Sequence, residues 1–108
     1  MITEVVVMGG YDSGRKMSST EILDVNSMTW RTGPDLPIPV DGNRGVQSEV
    51  GPYLGFSTGG YNYQYQRKIY GLKETSEDSF EWEEVRSMTT ARSGHFAVNV
   101  PKDLLPNC

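Results

Sequence analysis

Two stretches of the chain carry the same signals in the same order about fifty residues apart, and this periodicity constrains the fold more than any other feature. Gly9-Gly10-Tyr11 and Gly59-Gly60-Tyr61 each follow a short apolar run and stand 50 residues apart. Trp30 and Trp82 stand 52 apart, as do Leu36 and Met88, while the arginines of Arg44-Gly45 and Arg92-Ser93-Gly94 stand 48 apart. A double glycine after a strand permits positive φ and lets backbone approach its neighbour closely. One buried Trp per unit has the area to fill the space between adjacent sheets. The chain therefore reads as two copies of one supersecondary unit, and such units stack to bury a shared core.

The unit is built of strands. Alanine occurs only at Ala91 and Ala97, against ten valines and 12 glycines, and Gly or Pro interrupts the chain every dozen residues or so. Between the interruptions lie runs of strand length: Val5-Val6-Val7-Met8, Glu21-Ile22-Leu23-Asp24-Val25, 46–50, Tyr53-Leu54-Gly55-Phe56, Lys68-Ile69-Tyr70-Gly71-Leu72, 80–85 and Phe96-Ala97-Val98-Asn99-Val100. The expected fold class is all-β.

Composition then removes whole classes of function. With 108 residues there is room for one domain. A formal charge of −4 gives no basic surface for nucleic acid, and no run approaches the roughly 18 consecutive apolar residues of a membrane span. Cys108 is the sole cysteine and His95 the sole histidine, so a disulfide or a zinc or copper site lacks its ordinary ligands. No metal and no cofactor are expected. No Asn has Ser or Thr two places on, which leans toward a cytoplasmic setting.

In order and period, these residues resemble the kelch repeat, whose unit of ~50 residues forms one four-stranded blade of a β-propeller. The second unit matches that pattern at Arg44, Gly59, Gly60, Tyr61, Tyr70 and Trp82, and the first at Gly9, Gly10, Tyr11, Asp24 and Trp30. Leu23 stands where the family has Tyr, Gly71 replaces the family's Asp, and the turn from Tyr70 to Trp82 is longer than the pattern. The resemblance implies a kelch region over 1–108: one antiparallel blade over about 4–36 completed by an innermost strand, a second over about 45–88, and a final innermost strand over about 94–100. Two blades make an incomplete ring. The chain is then a fragment of a longer kelch protein, whose other blades cover the open faces, or copies of it form a homo-oligomer that closes the ring.

Rim loops of a rigid scaffold are where partners are gripped. By the kelch pattern these loops hold Asp12, Ser13, Arg15 and Lys16 in the first unit, Asn62, Tyr63, Gln64, Tyr65 and Gln66 in the second, and Asp41, Asn43, Arg44 and Arg92 in the connections. Tyr offers large contact area at low entropy cost, and Asn and Gln offer adaptable hydrogen bonds. Asp12, Arg15, Arg44, Asn62, Tyr63, Gln64, Tyr65 and Arg92 are thus the candidate partner-binding residues, while Gly9, Gly10, Tyr11, Trp30, Gly59, Gly60, Tyr61, Tyr70 and Trp82 form the structural frame of the repeat. The alternation of Tyr61, Tyr63 and Tyr65 also suits a plain strand with one aromatic face, and Arg44 and Arg92 also suit ligands for carbonyls of an adjacent loop. His95 has no nucleophile in motif context and reads as a packed residue. The acidic run Glu74, Glu77, Asp78, Glu81, Glu83 and Glu84 reads as a solvated outer edge.

The expected function is a non-catalytic protein-interaction module that binds a protein or peptide partner through its rim, with no nucleic acid and no membrane involved. In many kelch proteins such a propeller recruits substrates to a ubiquitin ligase. The alternatives are a fragment of a propeller enzyme of galactose-oxidase or sialidase type, or an actin-associated structural protein. The first enzyme needs several His and Tyr ligands. The second needs a Gly where Met28 stands, together with clustered arginines.

Overall fold

The computed structural model describes residues 4–48, 51–76 and 79–100. Its elements are β1 (Glu4–Met8), β2 (Tyr11–Asp12), β3 (Arg15–Lys16), β4 (Thr20–Asp24), β5 (Thr29–Thr32), β6 (Arg44–Gln47), β7 (Tyr53–Thr58), β8 (Lys68–Ser76) and β9 (Ser79–Ser87). No helix occurs among the described residues, and all ladders are antiparallel. The first sheet has the order β1-β4-β5 and the second β6-β7-β8-β9, with β2-β3 a small separate hairpin. Both sheets are open, as in an incomplete propeller of kelch type.

Local chemistry accounts for the turns. Between β4 and β5 the Asp24 carboxylate accepts the Asn26 and Ser27 backbone N–H groups at 2.9 and 3.2 Å, an Asx turn, and Met28 closes it at φ 58°. In the β2-β3 hairpin, Ser13 and Gly14 both take positive φ, 52° and 83°, the pairing of a type I′ turn that suits strand twist. The long connection from Tyr70 to Trp82 extends the second sheet: β8 and β9 run nine residues each, with register shifts at Ile69/Tyr70 and Glu74/Ser76.

The core lies between the sheets. Leu36 and Val40 of the connecting segment and Tyr70 of β8 are buried together, with Met8, Ile38 and Trp82 packed on them. The Trp82 indole N–H reaches across to the Pro34 carbonyl at 3.0 Å and the Thr20 hydroxyl at 3.2 Å. Its counterpart differs from expectation: Trp30 is 54% exposed, because no element of the described chain covers the outer face of the first sheet.

Backbone hydrogen bonds repeat between the halves. Gly9 N–H donates to Ser19 and Gly59 N–H to Lys68; Gly10 donates to Val40 and Gly60 to Arg92; Met17 donates to Gly10 and Gln66 to Gly60. Val40 donates to Met17 and Arg92 to Gln66, while Leu36 donates to Ser18 and Met88 to Arg67. This set puts Arg92 in the place of Val40, not of Arg44, so the 48-residue spacing of the two arginines is no part of the repeat. Continued four residues on, it puts Phe96 in the place of Arg44.

Residues 96–100, expected as an innermost strand, form no ladder among the described residues. Among the described residues no strand pairs beside them; the Asn99 side-chain amide donates to the Gln47 carbonyl of the second sheet.

Candidate partner-binding rim

Two loops from different sheets meet. The β2-β3 hairpin holds Asp12 and Arg15 opposite each other at its exposed tip, with the Ser13 hydroxyl donating to the Asp12 carboxylate at 3.1 Å. The loop after Gly60 doubles back: Tyr61 bridges to Tyr65, Gln66 N–H donates to Gly60, and Tyr63 at its apex takes φ 59°. The three tyrosines therefore belong to a tight loop, and the alternative of a strand with one aromatic face does not hold. The left-handed residue at the apex breaks the alternation that such a strand requires.

Lys16 joins the loops. Its ammonium stands 5.1 Å from the centre of the Tyr61 ring, 5.3 Å from Tyr63 and 5.8 Å from Tyr11, within cation–π range of all three. Asp41, bridged to Tyr61 through the backbone, puts a carboxylate oxygen 3.9 Å from the same ammonium. Tyr65 meets Tyr61 edge-on at 5.2 Å. The outward surface of this group is aromatic: Tyr11, Tyr63 and Tyr65 are 61%, 84% and 62% exposed. Asn62 is half-buried and its N–H donates to the Gln64 carbonyl at 3.0 Å, which the Gln66 side-chain amide also reaches at 3.0 Å. Asn62 and Gln64 thus help to hold the loop, and the Gln64 side chain faces solvent.

Arg44 and Arg92 belong to a second group around His95. One Arg44 nitrogen donates to the Asn43 carbonyl at 3.2 Å, and Arg92 Nε to the Thr90 carbonyl at 3.5 Å. His95 Nε2 lies 2.7 Å from the Thr58 hydroxyl, which itself donates to the Arg44 carbonyl at 3.4 Å. Its Nδ1 is buried with no hydrogen-bond partner among the described residues. Burial first, then the positive charges of Arg44 and Arg92, push the imidazole below its ordinary value of 6.5. The eight candidates thus fall into two clusters. Sequence reasoning named Lys16 and Asp41 as loop residues but gave them no role, because the contact that unites the loops joins residues 45 apart in the chain.

Residues 3–37 match the family model for the Kelch motif. The match spans the first sheet and the hairpin, from β1 through Leu36. No curated protein matches the chain. The kelch motif generally mediates protein–protein contact within propellers, and here it contains Tyr11 and Lys16, the first sheet's share of the rim. Gly59 and Gly60 repeat its double glycine at φ 60° and 113°, against 72° and 112° for Gly9 and Gly10. A side chain at Gly59 would overlap the Arg92 carbonyl oxygen, so this corner accepts only glycine.

Proposed function

We propose that the chain is a non-catalytic protein-interaction module that grips a protein or peptide segment at the rim formed by Tyr11, Lys16, Tyr61, Tyr63 and Tyr65. The observation that carries this reading is the convergence of three tyrosines from two loops around one lysine, with Tyr65 edge-on to one of them and Tyr63 almost wholly exposed. Large aromatic side chains held on a rigid frame are the residues that dominate binding energies. In this reading Tyr63 and Tyr65 are the anchors, Arg15 supplies charge beside them, Arg44 and Arg92 supply it from the separate group around His95, and Asp12, Asn62 and Gln64 set register through hydrogen bonds. The rim loops carry no buried packing role at Tyr63 or Tyr65, so these side chains are free to make contacts.

The test is selection of a random peptide display library on the immobilised chain. The wild type is expected to enrich peptides with a shared sequence pattern, and Tyr63→Ala with Tyr65→Ala is expected to weaken their binding about tenfold or more. Enrichment without a pattern, or binding untouched by both substitutions, would overturn the assignment.

A further inference from the structure

Among the described residues the first sheet has no neighbour at its inner edge. Among the described residues β1 pairs only with β4, and its other edge borders a cavity of about 490 Å³. Val5, Val6 and Met8 line one side of that cavity, and Val46, Phe56 and Trp82 the other. In the second sheet the corresponding place is filled: β6 pairs with β7 as Arg44↔Thr58, Gly45↔Ser57, Val46↔Phe56 and Gln47↔Gly55.

The same chain holds a segment of matching pattern that pairs in no ladder among the described residues. Phe96, Val98 and Val100 alternate and are exposed, Phe96 at 89% and Val98 at 77%. The repeated hydrogen bonds make 96–99 the counterpart of Arg44–Gln47, and β1 the counterpart of β7. Transferred to these residues, the observed ladder pairs Phe96 with Met8, Ala97 with Val7, Val98 with Val6 and Asn99 with Val5. The start of the segment is tied to the second sheet by Gly60 N–H to Arg92 O at 2.9 Å, Gly94 N–H to Gly42 O at 2.8 Å and the His95–Thr58 contact. Within one molecule the Asn99 amide holds it to Gln47 of the second sheet, and among the described residues no ladder joins it to β1.

We propose that residues 96–100 of one copy add to the inner edge of β1 in a second copy, in the register Val98↔Val6, and fill the cavity between its two sheets. Strand addition satisfies the open backbone groups of β1, and the alternate side chains enter the apolar space. The contact is head-to-tail, so copies close into a ring if the rotation between them permits. The proposal rests on the propeller reading of the fold and not on the rim; unchanged binding by the tyrosine variants would leave it standing.

The test uses the full chain. Sedimentation over a concentration series is expected to show a discrete oligomer that Phe96→Asp with Val98→Asp converts to monomer. Both side chains are exposed in the single copy, so the substitutions leave its fold intact. In a Cys108→Ser background, mixed Val6→Cys and Val98→Cys chains are expected to form a disulfide under mild oxidation, while Val7→Cys in place of Val6→Cys does not, since neighbouring residues face opposite ways. A monomer at all concentrations, an oligomer indifferent to the two aspartates, or equal cross-linking at Val7 would overturn the proposal.

Discussion

Trp82 and Trp30 occupy matching places in the repeat but do unequal work. Trp82 spans the gap between sheets with two hydrogen bonds from its indole N–H, whereas Trp30 lies on an outer face. Trp82→Phe is therefore expected to cost about 1–3 kcal/mol in urea denaturation, the worth of the lost bonds with two acceptors left behind, and Trp30→Phe to stay within about 0.5 kcal/mol. Equal losses would mean that the contact across the gap contributes nothing. His95 gives a second residue-level outcome. Its folded-state proton affinity is depressed, so the unfolded chain binds the proton more readily, and stability rises with pH across the imidazole range. The contribution is complete above the unfolded value of 6.5 and is lost as pH falls through it toward the lower folded value. His95→Gln is expected to flatten this loss as pH falls below 6.5 in thermal melts; an unchanged slope would remove His95 as its source.

At the level of elements, the sequence was informative where the signal is local. Apolar runs bounded by turn residues marked β1, β4, β7, β8 and β9, since period and turn residues act within a few positions. The run 46–50 meets β6 (Arg44–Gln47) only at Val46 and Gln47, with 49–50 outside the described residues. Two features needed neighbours. The strand β5 (Thr29–Thr32) carries Thr, Trp and Arg with no apolar run, and exists because Asp24 folds its turn back onto β4. Residues 96–100 have strand composition, but a ladder requires a partner edge, which composition does not supply. The rim was legible in part: Tyr63 and Tyr65 stood out by type, while the bridging of the loops by Lys16 depends on how the two sheets meet. The pairing of Arg44 with Arg92 by spacing failed because the hydrogen-bond repeat runs at 52 residues in that region, not 48.

For the whole molecule, two sheets of one repeat pack through a shared core and present both their loops on one rim. The six tyrosines divide along this architecture. Tyr11, Tyr61, Tyr63 and Tyr65 form the rim group, whereas Tyr70 is in the core and Tyr53 is held inside the second sheet by its hydroxyl bond to Glu83 and its ring contact with Phe56. The most direct measurement is a nuclear magnetic resonance titration of the chain, carbon-labelled at tyrosine rings, with a peptide recovered by the library selection. Shifts confined to Tyr11, Tyr61, Tyr63 and Tyr65, with Tyr53 and Tyr70 unmoved, are the expected result. Shifts at Tyr53 and Tyr70 with a silent rim would contradict the account.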